Sequence, residues 1–457
     1  MKKRNFFAAT LIGLALVACS SVEDINGGTD QNNEGAVVTL KLDMSNTPLT
    51  KGSPGATNQQ VGTAAENTIS NVTVVVDYGS NTRKVFKKGD TGVTWTEANK
   101  TLEFQTPAGD ATFYVYANVN DNDVNNLSTS WAENLVSNGT ESNYYQSDNF
   151  FMSNQNGKGI KHTINEDTEN NITVNIERAA AKVTVESPAN FTSTYGGTLS
   201  DMKFALGNKI SKFYLLQQST IASPTNDVEY LPSNNQTENW KEVSLGKTSV
   251  TGGENHQDLS AFAADYCMEN VHQTYTQDIT TYIKFQTTFT PAKVLNFNTS
   301  GTPWIVQSNK DVTAPATAAD APSFFVVLDG DANYTSNYIL KSDLYEENGT
   351  PKSGLNITET TDGYTVTGIT GITKISKEYV NGKCYFGPIW INIDQTGNAS
   401  PIYRNDWYHL KVTDIKLPGL PSEPGDGGNI PLTPDVNVTV TLDVLDWELE
   451  ERNIVLQ

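Results

Sequence analysis

Two stretches of this chain alternate apolar and polar residues with a period of two. In Ala36-Val37-Val38-Thr39-Leu40-Lys41-Leu42-Asp43-Met44, every even position is apolar, and Thr39, Lys41 and Asp43 fall on the other face. The tail repeats the design in Val436-Asn437-Val438-Thr439-Val440-Thr441-Leu442-Asp443-Val444. Such patterning predicts half-buried strands, because successive side chains of a strand point to opposite faces. Both segments carry Thr fourth, Leu seventh and Asp eighth, so they could fill one groove with the same face inward. The plainer alternative is that they are terminal strands in two separate sheets of one chain. After Val444 the phase changes: Leu445, Trp447 and Leu449 are odd-numbered, which predicts a bulge or a turn onto a second surface.

Between these ends, short runs rich in Val, Ile, Tyr, Phe and Thr recur among Gly, Asn, Asp and Ser clusters. The runs at 72–78, 112–119, 172–176, 181–185, 282–289, 324–328, 389–393 and 407–415 predict strands of an all-β sandwich or barrel. Helical periodicity is scarce, with one short helix expected over 126–136 after the polar turn Asp121-Asn122-Asp123. Residues 418–434 are rich in proline and glycine and read as a linker, which leaves the tail strand to pair with something. The 45–55 segment is polar and turn-rich, with one basic residue at Lys51, and it predicts an exposed loop open to a protease. A cut between Lys51 and Gly52 would free the first strand and open a groove for Ala36, Val38, Leu40, Leu42 and Met44. Burying those five side chains is worth about 1.5–3 kcal/mol each before entropy. A matching strand from a neighbour could refill the groove, with Val436, Val438, Val440, Leu442 and Val444 facing inward and Trp447 as anchor. Donor and acceptor lie at different places on the molecule, so the contact would be heterologous and would build filaments.

Composition narrows the function. The 457 residues carry 31 Lys+Arg against 52 Asp+Glu, a net charge of −21, which leaves no basic footprint for nucleic acid. Four histidines and three cysteines, none at metal-ligand spacing, support neither a metal site nor a Cys/His nucleophile, and no cofactor is expected. The carboxylates single out no pair, so an enzyme is not expected. Lys2, Lys3 and Arg4 precede an apolar run ending in Leu16-Val17-Ala18-Cys19. That is a signal peptide resembling a bacterial lipobox, in which Cys19 becomes the lipidated N-terminus and anchors the precursor. Cleavage near Ala18 as a soluble secretory signal is the alternative. Glu23 and Asp24 then resemble the acidic surface-export signal of Bacteroidetes lipoproteins.

Other motifs are weaker. Asp121, Asp123 and Asn125 alternate like the start of a calcium loop, but Asn126 stands where glycine is required and Ala132 where glutamate is, so a solvated turn is expected. Cys267 and Cys384 read as two buried reduced thiols, with a disulfide the alternative that an oxidising compartment permits. Trp95, Trp131, Trp240 and Trp304 could form a glycan platform but do not cluster in sequence, and single tryptophans are more often core.

Three further stretches carry a family resemblance. They are Val174-Asn175-Ile176-Glu177-Arg178-Ala179-Ala180-Ala181-Lys182-Val183-Thr184-Val185, then Tyr266-Cys267-Met268-Glu269-Asn270, then Gly382-Lys383-Cys384-Tyr385 followed by Arg404-Asn405-Asp406-Trp407-Tyr408. In this order, with the lipobox and the tail strand, they resemble the Bacteroidetes (type V) fimbrillins, the major subunit of short fimbriae above all. The resemblance implies two transthyretin-like β-sandwich domains, export as an outer-membrane lipoprotein, removal of the first strand by a trypsin-like protease, and polymerisation through the C-terminal strand. It implies as partners other copies of the chain, anchor and tip subunits, and host or bacterial surface ligands. Lys51 departs from the arginine of the family's best-known members, which leaves the protease open. The expected organisation is a signal peptide over 1–19, a propeptide over 20–51, domains over 52–185 and 186–417, a linker over 418–435 and a donor tail over 436–457. A pilus-shaft subunit that supports adhesion is the leading reading. A tip adhesin, or a glycan-binding surface lipoprotein, is the alternative. The Arg404, Asn405 and Tyr408 group reads as a turn fixed by side-chain hydrogen bonds.

Overall fold

The computed structural model describes residues 35–44, 59–138, 140–187, 189, 196–218, 231–232, 239–243, 262–272, 279–329, 337–392, 401–423 and 438–448. The chain is all-β, as its turn-punctuated strand runs predict. Its first half forms β1 (Ala36–Asp43), β2 (Gln59–Val61), β3 (Val72–Asp77), β4 (Arg83–Lys87), β5 (Thr94–Thr96), β6 (Thr101–Thr106), β7 (Gly109–Ala117), β8 (Met152–Asn154), β9 (Ile160–Ile164) and β10 (Asn170–Arg178). All but β2 join one sheet in the order β4-β3-β7-β8-β10-β1-β6-β5, with β9 also pairing β7. This sheet curls over on itself. Phe86 of β4 and Phe104 of β6 are remote in the strand order, yet their rings stack at 4.1 Å. Val38, Leu40, Val74, Phe104, Phe113 and Val174 fill the interior.

The second half contains β11 (Ala180–Glu186), β12 (Gly197–Gly207), β13 (Ala264–Met268), β14 (Tyr282–Pro291), β15 (Lys383–Trp390), β16 (Asp406–Ile415) and β17 (Val438–Glu448). Two sheets enclose its core. One runs β13-β11-β16-β17-β2; the other runs from the two-residue strand Lys241–Glu242 through β12 and β14 to β15. Val183, Tyr408 and Leu410 from the first meet Phe204, Phe285 and Phe386 from the second. Sheet membership changes at Ala179, between β10 and β11, inside the Glu-Arg-Ala-Ala-Ala-Lys stretch.

Two features differ from the sequence expectations. The connection between the neighbouring strands β14 and β15 carries a third small core, built on Trp304, Phe325, Ile339, Val366 and Ile372 from short hairpins between 293 and 375. Only the run at 324–328 signalled it, because two- to seven-residue strands give little periodicity. The helix α1 spans Asp121–Thr129 rather than 126–136, starting at the polar turn itself. Asn120 caps it, its side chain accepting from the Asp123 N–H at 3.0 Å. The Asp121–Asp123 segment is therefore not a solvated turn: Asp123 is buried, accepting from the Tyr144 hydroxyl and the Asn138 N–H.

Candidate functional site

The first strand lies deep in its sheet. β1 pairs parallel with β10, from Val38 opposite Asn170 to Asp43 opposite Asn175, and antiparallel with β6, from Ala36 opposite Thr106 to Lys41 opposite Thr101. Ala36, Val38, Leu40, Leu42 and Met44 are all buried, as period-two patterning requires, while Val37 on the opposite face is 45% exposed. Removing β1 would leave a slot one strand wide, with Leu102 and Phe104 on one wall and Ile172 and Val174 on the other, all buried. Both walls would then present unpaired ladder groups, which is the chemistry that recruits another strand.

The entry end of the slot is built with polar groups. Gly35 approaches β6 closely: a Cβ there would stand 3.1 Å from the backbone N and O of Thr106. Across from it, the buried Asn170 donates through Nδ2 to the Val37 carbonyl at 2.9 Å. The same amide donates to the Asn165 carbonyl at 2.9 Å and the Thr168 carbonyl at 3.2 Å, and its Oδ1 accepts from the Asn165 N–H at 2.8 Å.

In the single chain, the tail strand β17 sits in the second half's own sheet rather than standing free. It pairs antiparallel with β16, with Val444 opposite Tyr408, Leu442 opposite Leu410 and Val440 opposite Val412, all three partners buried. The register shifts between Val412 and Asp414, so Val438 stands opposite Ile415. The irregularity falls before the expected phase change at Val444, and pairing continues without a shift from Val412 to Asp406. On its other side β17 is covered by β2 in parallel, with Gln60 opposite Trp447. The two patterned segments thus occupy two separate sheets of one chain, and the structure brings neither to the other. Cys19, Lys51, Gly52 and Val436 lie outside the described residues.

The signature residues Arg178, Lys182, Glu269, Arg404, Asn405 and Trp407 converge between the halves. Lys182 reaches Glu66 at 2.8 Å, both side chains 3% exposed, and lies 3.6 Å from the centre of the Trp407 ring. Arg178 donates to the Glu66 carbonyl at 3.2 Å, to the Asn405 side chain at 3.2 Å and to Asn67. Arg404 pairs with Glu269 at 2.9 Å with both side chains fully buried, and also donates to the Tyr214 carbonyl. Asn405 takes φ 61°, a left-handed turn that asparagine tolerates, and Tyr408 accepts the Tyr403 N–H at 2.9 Å. The Arg404–Tyr408 group is a hydrogen-bonded turn leading into β16, as expected. Burial pushes the Glu66 carboxyl up, but Lys182, Tyr266 and the Thr63 N–H outweigh it, and the group sits below its ordinary value. Burial lowers the Arg178 guanidinium to about 9 against the opposing pull of Glu66, so it stays charged at neutral pH.

The remaining candidates do not gather. Trp304 is buried, Trp95 bonds to Glu97, Trp131 to the Tyr116 hydroxyl, and Trp240 lies 6.4 Å from Tyr385. Cys267 and Cys384 are buried thiols, and burial pushes the Cys267 thiol up to about 12. Among the described residues no cluster of His, Cys, Asp or Glu could hold a metal ion, and no helix is long and apolar enough to cross a membrane.

Residues 377–453 match the family model "Major fimbrial subunit protein type IV, Fimbrillin, C-terminal". That span holds β15, the Arg404–Tyr408 turn, β16 and the tail strand. No curated protein matches the chain. Solved structures resemble it at low identity, three of them as follows. A protein assigned to cell adhesion from Parabacteroides distasonis shares 14% identity, with 92% of this chain and 98% of that one covered and a TM-score of 0.47. A fimbrilin from Porphyromonas gingivalis shares 16%, with 92% and 99% covered and a TM-score of 0.40. The C-terminally truncated tip fimbrial protein of the same organism shares 11%, with 90% and 100% covered and a TM-score of 0.35. The match over residues 377–453 takes in the last of the signature stretches, Gly382–Tyr385 with Arg404–Tyr408, and over that region the chain resembles the fimbrillins.

Proposed function

We propose that this protein is a structural subunit of a cell-surface fimbria, built by strand exchange between copies of the chain. The observation that carries the reading is β1: a strand of five buried apolar residues, paired on both sides, whose pattern recurs at the end of the fimbrillin region. In this reading the chain is exported as an outer-membrane lipoprotein through Cys19, and a trypsin-like protease cuts between Lys51 and Gly52. The 20–51 segment leaves the slot, and the neighbour's tail enters with Val436, Val438, Val440, Leu442 and Val444 inward. β17 must first leave β16 and β2, and β1 in the slot keeps uncut subunits from accepting one another's tails. The two halves, which meet at Ala179 rather than at the expected 185/186 boundary, would form the shaft. Other copies, anchor and tip subunits, and a host or bacterial surface ligand would be the partners. A donor tail favours a shaft subunit over a tip adhesin, since a tip needs only the slot.

Electron microscopy of purified full-length protein before and after cleavage at Lys51 tests this. Filaments are expected only after the cut, with Gly52-Ser53-Pro54 as their N-terminal sequence. Filaments from uncut chains, or a Lys51→Ala variant that assembles normally, would overturn the reading.

A further inference from the structure

We propose that Asn170 is a positioning residue of the slot: its side-chain amide holds the backbone carbonyl at the entry end of whichever strand fills it. The inference rests on the assembly reading only for the identity of the second occupant.

The geometry for the first occupant is in place. Asn170 opens β10 and is the first residue of that strand to face β1, opposite Val38. One step earlier the wall strand is no longer there, because the chain before Asn170 turns away through residues 165–169. The carbonyl of Val37 therefore lies at the last rung of the ladder, and the Asn170 amide adds a side-chain donor to it at 2.9 Å. The amide is itself fixed. It is 2% exposed, its Oδ1 is taken by the Asn165 N–H, and its Nδ2 is shared with the Asn165 and Thr168 carbonyls. It is aimed before any strand arrives.

The contact is to backbone, so it is blind to side-chain identity and available to any strand in this register. The apolar alternation permits slips of two residues, which keep the same face inward. A fixed donor at one end, facing the close approach of Gly35 to Thr106, marks where pairing begins. Superposing the two patterned segments puts Asn437 where Val37 lies and Asp435 where Gly35 lies. An incoming tail would give its Asn437 carbonyl to Asn170. Asp435, whose Cβ would crowd Thr106, would have to diverge from β6 there.

The test uses the full chain with a site-specific protease sequence replacing residues 47–51, cut and freed of its leading fragment. Synthetic peptides of residues 35–44 and 434–448 are then titrated against it. Asn170→Asp keeps the acceptor for the Asn165 N–H and removes the donor; Asn170→Ala removes both. Each is expected to weaken the 35–44 peptide roughly tenfold, the value of one lost buried hydrogen bond. A merely structural role for the 165–170 turn could weaken binding too, so the deciding readout is a peptide whose Val37 carbonyl is replaced by a thioamide, a poorer acceptor. It should bind wild type several-fold worse than the normal peptide, with a clearly smaller penalty in Asn170→Ala, where only the backbone contact is left to weaken. Equal thioamide penalties in the two proteins, or wild-type affinity in Asn170→Asp, would overturn the proposal. If the coupling appears with 35–44 while 434–448 does not bind, the exchange reading fails and the role of Asn170 toward the chain's own strand stands. If both bind, a thioamide at Asn437 must show the same coupling, or Asn170 does not position the tail.

Discussion

At the scale of the residue, the polar side chains between the halves do the most specific structural work. Lys182 and Glu66 are both withdrawn from water, and each is tolerable only because the other is present. Glu66→Gln leaves Lys182 charged over the Trp407 ring with a weaker partner, and is expected to cost about 3–5 kcal/mol in equilibrium unfolding. The pH dependence follows from the direction of the Glu66 shift. Its carboxyl is depressed in the folded state, so the stability it adds is present above the ordinary glutamate pKa of about 4.3 and is lost as pH falls through the lower folded value. Melting temperature should therefore drop more steeply below about pH 4 in wild type than in Glu66→Gln; parallel profiles would show that the pair does not set the acid limit. None of this was legible in the sequence. Glu66 and Lys182 stand 116 positions apart, and nothing in the local pattern distinguishes Glu66 from the other acidic residues. Asp123 was misread for the same reason: the Tyr144 and Asn138 partners that bury it are supplied by tertiary packing.

At the scale of the element, the long alternating strands were legible and the short ones were not. β1 could be read at once because each even residue is apolar and the period is that of the pleat. The hairpins around Trp304 and Phe325 escaped because their strands are too short to show a period. The partners of a strand are a further matter. The sequence offers one groove for both patterned segments, whereas the single chain houses them in different sheets. Two expectations follow. Leu40→Ala truncates a side chain with no exposure and should destabilise the uncut chain by about 2–5 kcal/mol. If β1 is discarded on assembly, filaments grown from the same variant should be as stable as wild type. A matching loss of stability in the filaments would mean that β1 stays in place. Gln60→Pro removes a backbone donor from β2, the strand that covers β17 in parallel. Faster hydrogen exchange is expected at 438–448, with β1 unchanged. Unaltered exchange in the tail would mean that β16 alone protects it.

At the scale of the whole molecule, the all-β class was legible from punctuation and composition, and the fimbrillin resemblance from signature stretches spread along the chain. The way the two halves lock was not, because Arg178, Asn405, Glu269 and Arg404 meet only once both sheets have formed. The same scale supplies the sharpest separation of the assembly reading from an ordinary two-sheet protein. β17 is an inner strand of its sheet, so deleting 436–457 or placing a charge at Leu442 opposite the buried Leu410 must lower monomer stability whatever the function. Melting temperatures of single variants therefore decide nothing about assembly, and mixing experiments do. A cut chain lacking 436–457 would keep an open slot but no donor. An uncut Lys51→Ala chain would keep its tail but have β1 in its slot. Each alone should stay monomeric. Mixed, they should form one-to-one dimers and stop, since a heterologous contact propagates only when each subunit carries both surfaces. Added to growing wild-type filaments, the tail-less cut chain should bind one end only and shorten the length distribution in proportion to its share. Dimers in either preparation alone, or unchanged filament lengths on addition, would show that tail and slot do not meet between subunits.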